Sequence, residues 1–107
     1  MARATAVKGG FTYIVASHSM VLYIGVTNDL ESRAWQHKNK AVAGFTARYN
    51  VDRLLYYEFF PAIGGAIARE KQLKGWLRQR KLDLIAKMNP NFVDLAPDLF
   101  DWAKAER

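Results

Sequence analysis

The chain of 107 residues contains no cysteine. That excludes disulfide staples, thiolate zinc sites and a cysteine nucleophile, and it is compatible with any redox compartment. Long apolar runs are missing as well: nothing approaches the roughly 20 residues that a membrane span needs, and Met1 to Gly10 lacks the continuous apolar stretch of a secretory signal. The expectation is a soluble protein, cytoplasmic by default. There is no internal repeat, low-complexity tract or interdomain linker, so one domain over residues 11–107 is expected, behind a flexible arm over residues 1–10. Acid is scarce. Ten Asp and Glu stand against sixteen Lys and Arg, and the net charge of +6 favours a polyanionic partner such as nucleic acid or an anionic membrane.

What is present begins with two runs rich in aromatic and β-branched residues, Phe11–Ala16 and Val21–Val26, separated by Ser17-His18-Ser19. They read as a hairpin, and pairing Ala16 with Met20 across a three-residue loop would set Tyr13 and Tyr23 side by side on one face. Gly25 ends the second strand. Thr27, Asn28 or Asp29 can cap a helix over Asp29–Asn39, which puts Arg33 and His37, four apart, on one helical face anchored mainly by Leu30, Ala34 and Trp35. Ala41–Asn50 reads as a loop with at most a helical turn, and Val51–Phe60, stopped by Pro61, as a third strand. From Ala62 to Met88 the pattern is helical, with Ile63, Ile67, Leu73 and Leu77 as one stripe and a break expected near Arg80-Lys81. A last short helix near Pro97 would return Leu99, Phe100 and Trp102 to the core.

Glu70 stands out because it lies on that apolar stripe, where a carboxylate requires a cation. The cation is either a neighbouring basic side chain or a metal ion, and a lone oxygen ligand suits magnesium that keeps most of its water. Arg33 and His37 are either a solvated helix face or reagents opening beneath the two tyrosines. Tyr13 and Tyr23 are either packed aromatics or reacting phenols. Arg69, Lys71, Lys74, Arg78, Arg80 and Lys81 are set against Glu70 alone; they form a solvated face or a phosphate track that Lys38, Lys40, Arg48 and Arg53 extend. Trp76 either stacks on a base or packs, and packing is the commoner fate of such a side chain.

Phe11-Thr12-Tyr13, Tyr23-Ile24-Gly25, Arg33, His37, Glu70 and Asn89 occur in the order and approximate spacing of the motifs of GIY-YIG nucleases. Over nearly its whole length the chain resembles the small, stand-alone, single-domain bacterial members, including Ala68–Lys74 and Asn89-Pro90 followed by Asp94-Leu95. The resemblance implies an α/β (α+β) fold, a three-stranded antiparallel sheet flanked by helices, and a phosphodiesterase that uses Mg2+ or Mn2+ to cut nucleic acid, DNA rather than RNA. It implies Tyr13 and Tyr23 as the motif tyrosines, Arg33 as the phosphate-stabilising arginine and His37 as a proton relay. Glu70 becomes the metal ligand and Asn89 a polar residue near the scissile phosphate. One departure is plain: the first motif is Phe-Thr-Tyr, not Gly-Ile-Tyr. That departure supports the alternative of a nucleic-acid-binding module with little catalysis, beside a second alternative, a small basic protein that docks on a protein partner or a membrane. Repair, recombination and other processing stay open, as does a homodimer.

Overall fold

The computed structural model describes residues 9–41 and 44–105, with side chains through Phe100. Strands β1 (Gly10–Ala16), β2 (Leu22–Thr27) and β3 (Arg53–Phe60) form one antiparallel sheet with β1 in the middle. Helices α1 (Leu30–Lys38) and α2 (Phe45–Arg48) join β2 to β3; α3 (Ile63–Lys74), α4 (Arg78–Met88) and α5 (Ala96–Ala105) follow. The expected three-stranded sheet flanked by helices is present.

Most of the segment read as an arm, residues 1–8, lies outside the described residues, and so does the side chain of Trp102. Gly9 and Gly10 correct that reading, since both are buried and Gly10 opens β1. A Cβ on Gly10 would strike the Ile63 side chain, and one on Gly9 would lie 2.7 Å from the Phe59 ring. The chain passes too close to β3 and α3 here for any side chain.

The hairpin register also differs from the expected one, by two residues: Ala16 faces Leu22, not Met20. Ser17 is the cause. Its N–H donates to the Val21 carbonyl and its hydroxyl accepts the Val21 N–H, each at 3.0 Å, while Met20 turns the chain at φ 68°. A slip of two keeps every side chain on its face. Tyr13 and Tyr23 therefore still share a face, but diagonally, with Tyr13 opposite Gly25 and Tyr23 opposite Val15.

Side chains from β1 enter two cores, one on each side of the sheet. Tyr13 and Val15 pack with Leu30 and Ala34 of α1, Leu54 and Ala96, and Leu99 and Phe100 join them from α5 as expected. Ile14 and Ala16 pack on the other side with Leu73 of α3 and Ile85 of α4. A bulge serves both: Ile14 faces Tyr56 and Val15 faces Leu54, so Leu55 is the extra residue. That extra residue lets Leu54 point into one core while Leu55 and Tyr56 both point into the other, which explains why the run Leu54–Tyr57 does not alternate.

The long helical stretch breaks at Gly75–Leu77, earlier than Arg80-Lys81. Leu77 is 83% exposed and Ile63 and Ile67 are each 40% exposed, so of the stripe read from the sequence only Leu73 is buried. Ala66 and Leu73 face the sheet, and Glu70 lies four and three residues from them on the same side. Trp76 packs against the second core with Arg80 4.0 Å over its ring. Among the described residues no helix is long and apolar enough to cross a membrane.

Candidate active site

Thr27 and Asp29 start α1 locally. The Thr27 hydroxyl accepts the Asp29 N–H at 3.1 Å, and the Asp29 carboxylate caps the helix by accepting the Ser32 N–H at 3.1 Å. Leu30, Ala34 and His37 then fall on the buried face, at spacings of four and three. Trp35, expected as an anchor, is 54% exposed. His37 is thus carried down against β1, with Arg33 one turn above it.

The two side chains meet the same phenol. His37 Nε2 lies 3.0 Å from the Tyr13 hydroxyl, and Arg33 Nη1 donates to that oxygen over a long 3.5 Å. Tyr23 completes the group from β2, its ring centroid 6.0 Å from that of His37. Gly25 is required for this arrangement. A Cβ there would overlap the Tyr13 hydroxyl and lie 2.6 Å from Cζ, so the glycine of Tyr23-Ile24-Gly25 is the floor across which the Tyr13 ring lies. Arg33 also lines an open cleft of about 420 Å3 with Val26, Thr27, Asn28 and Ile63, between the end of β2 and the start of α3.

Burial dominates the electrostatics. It pushes the Tyr13 phenol up to about 12, against the pull of the Arg33 guanidinium, and the charges of Tyr23 and Glu70 act in the same upward direction. Burial first, and then the Arg33 charge, lowers His37 to about 4, so its imidazole is neutral at pH 7. Glu70 therefore acts on Tyr13 electrostatically although it belongs to a helix packed on the sheet's other face. Its carboxylate pairs with Lys74 at 3.2 Å, the neighbouring-cation alternative to a metal ion. Among the described residues no three His, Cys, Asp or Glu side chains gather closely enough to cage a metal.

The departure at the first motif has a structural counterpart. Thr12, fully buried, donates from its hydroxyl to the Ala66 carbonyl at 2.7 Å, one turn before Glu70. This bond fixes the height of α3 against β1 at the carboxylate. Phe11 packs edge-on against Phe59 and Tyr57 at centroid distances of 5.2 and 6.3 Å.

Asn89 and Lys38 have partners within the fold. The two amide hydrogens of Asn89 are engaged by the Leu55 and Val93 carbonyls, at 3.1 and 2.7 Å, and its oxygen accepts the Val93 N–H, so no donor remains for a phosphate. Lys38 is clamped to the Asp94 carboxylate and the Asp52 carbonyl. Other members of the expected phosphate track also have protein partners. Arg69 pairs with Glu58 at 3.1 Å and donates to Gln72, Arg78 donates to the Met20 carbonyl, and Arg53 donates to the Phe92 and Ser17 carbonyls. Lys40, Arg48 and Lys71 stay exposed.

Four side chains had no role assigned to them in the sequence reading. Asp94 binds Lys38 and accepts the Leu54 and Ala96 N–H groups, each at 3.0 Å, and Thr12 sets α3. Phe45 and Tyr49 extend the tyrosine group outward. Phe45 stacks on Tyr23 at 6.1 Å and 30°, and Tyr49 lies 4.7 Å beyond. The available signal was two aromatics one helical turn apart in a stretch with no other apolar period.

Known proteins share this architecture. A UPF0213 protein of Staphylococcus saprophyticus is 35% identical over 77 residues, covering 72% of this chain and 94% of its own. A UPF0213 protein of Clostridium perfringens is 37% identical over 76 residues, covering 71% and 82%. The solution NMR structure of a UPF0213 protein from Bacillus halodurans has a TM-score of 0.52 at 24% identity, covering 78% of this chain and 89% of that one, and shows the same fold. The GIY-YIG catalytic domain description matches residues 9–83, the span from the residue before β1, past the helix that carries Glu70 and into α4, and the chain belongs to the GIY-YIG family.

Proposed function

We infer that the protein is a divalent-metal-dependent endonuclease that hydrolyses phosphodiester bonds in nucleic acid, DNA in preference to RNA. One observation carries this reading: a guanidinium that lines an open cleft and a neutral imidazole converge on a single buried phenol. Arg33 can only donate, so the phenol oxygen accepts from it, and in the His37 tautomer that carries its proton on Nδ1 the phenol's own proton is directed at the Nε2 lone pair.

In the hydrolysis, the oxygen of water bonds to phosphorus and the bond to the 3′ oxygen breaks, the electron pair leaving with that oxygen. Tyr13 takes the water's proton as it gives its own to His37, which returns it to solvent, and the 3′ oxygen is protonated in turn. Arg33 holds the non-bridging oxygens on which charge grows. Because Tyr13 gains one proton as it loses another it stays a neutral phenol, and the difficulty lies in His37, whose value of about 4 leaves a wide gap to a proton taken from water. A phosphate anion bound beside His37 raises the imidazole and closes part of that gap. Glu70, a lone and partly exposed carboxylate, fits a magnesium or manganese ion that keeps water and takes further oxygens from phosphate; it would hold the ion in place of Lys74. When bound, such an ion supplies positive charge to the phosphate and the departing oxygen.

The Glu70–Lys74 pair also favours a second reading, a nucleic-acid-binding module whose carboxylate is already satisfied. Purified protein and Glu70→Ala, incubated with single-stranded, duplex, flap, junction and RNA substrates plus Mg2+ or Mn2+, separate the two. Metal-dependent cleavage by the parent and none by Glu70→Ala is expected; equal products from both proteins would refute the hydrolase.

A further inference from the structure

We propose that Phe45 and Tyr49, with Arg48 between them, form a stacking platform for an unpaired base of single-stranded nucleic acid, beside the proposed hydrolytic site whose reading it rests on. The rings form a row. His37 and Tyr23 lie 6.0 Å apart, Tyr23 and Phe45 stack at 6.1 Å, and Phe45 and Tyr49 lie at 4.7 Å. At the inner end this row is hydrogen-bonded to Tyr13 through His37, and at the outer end it is open. Phe45 is 47% exposed and Tyr49 46% exposed. An aromatic pair that only closed a core would not leave both residues this exposed.

The surface there is concave. Gly44, Phe45, Ala47, Arg48 and Tyr49 line a depression of about 620 Å3, and among the described residues nothing lies within 4 Å of where a Cβ on Gly44 would stand. Arg48 is exposed, its guanidinium 5.9 Å from the centroid of the Tyr49 ring, where it can meet a phosphate while the rings take the base. Flat faces next to one cation match a nucleotide, and stacking on them is indifferent to base identity. Duplex bases have both faces covered by their neighbours; only an unpaired base can enter. The platform thus assigns the site a strand whose base is flipped or unpaired next to the scissile phosphate.

The test measures binding without cleavage. Fluorescence anisotropy in EDTA, at one salt concentration, compares a labelled oligothymidine of about 12 nucleotides with a duplex of the same length. Phe45→Leu and Tyr49→Leu, which keep apolar bulk but lose the flat face, are expected to weaken single-strand binding by about 5-fold to about 150-fold while duplex binding changes less than about twofold. Phe45→Trp should retain single-strand affinity, and its added fluorescence should be quenched by the oligonucleotide. Trp35→Ala removes an equally exposed ring from α1 and should change neither affinity. Unchanged single-strand affinity in Phe45→Leu, or the same loss on both DNA forms, would overturn the platform. Glu70-dependent cleavage with no Phe45 effect removes the platform alone; selective single-strand binding without cleavage removes the hydrolase alone.

Discussion

Replacing Gly25 by alanine should destabilise the fold by a net of about 2 kcal/mol, through Tyr13 and not through β2 itself. The added carbon would overlap the Tyr13 hydroxyl and lie 2.6 Å from Cζ and 3.0 Å from Cε2. The ring must move, but it is 1% exposed and packed with Val15, Leu30 and Ala34, so it can move only by opening the core. Overpacking of this kind costs about 1–3 kcal/mol. Displacing the hydroxyl from His37 adds about 0.5–1.5 kcal/mol. Restricting the unfolded chain with alanine offsets about 0.4–1 kcal/mol. For a domain of this size the net corresponds to a fall of about 10 °C in Tm. Urea and thermal melts in two backgrounds test the cause. In Tyr13→Leu the ring no longer crosses Gly25, so the same alanine should be nearly silent, with a coupling energy of about 2 kcal/mol. An equal loss in both backgrounds would refute the argument.

Three further outcomes are expected. The folded value of His37, about 4 against an ordinary 6.5, means that the unfolded chain binds the proton more readily between those values. Stability is therefore complete above pH 6.5 and falls toward pH 4, by at most about 3 kcal/mol; in His37→Gln that pH slope should disappear from urea midpoints, and identical slopes would contradict it. If Tyr13 passes its proton to His37 as proposed, the pH profile of kcat/KM should likewise show its acid limb near pH 4, with no inflection near 6.5, because that relay needs His37 neutral. Asp94→Ala strands the Leu54 and Ala96 N–H groups as well as Lys38 and should cost about 2–4 kcal/mol by chemical denaturation, whereas Lys38→Met, which leaves both N–H bonds in place, should cost about 1 kcal/mol.

Local periodicity made the sheet, the hairpin and the cap of α1 legible, and the spacing of Arg33 and His37 was enough to place them together. The shared face of the tyrosines survived a wrong register because the slip was two residues, an error set by side-chain bonds of Ser17 that no hydrophobic pattern encodes. Glu70 was placed on the inner side of its helix by the wrong neighbours: Ile63 and Leu77 suggested the stripe, while Ala66 and Leu73 occupy it. Gly75 marked the helix break, but the spacing of Leu73 and Leu77 masked it. Asn89 and Lys38 fell outside sequence reasoning for a different reason. Their partners stand 34 and 56 positions away, and a polar residue engaged by distant backbone or carboxylate has the same local signature as one reserved for a ligand.

The central claim is that Arg33 serves the reaction and not the fold, and single-turnover cleavage by Arg33→Ala tests it most directly when melting temperature and far-UV circular dichroism are measured on the same preparation. Arg33 is only partly buried and bonds Tyr13 at a long 3.5 Å, so the variant should fold and melt like the parent. Its cleavage rate should fall by about 100-fold to about 1000-fold. A rate within about threefold of the parent, or a loss of structure as large as the loss of rate, would contradict the account.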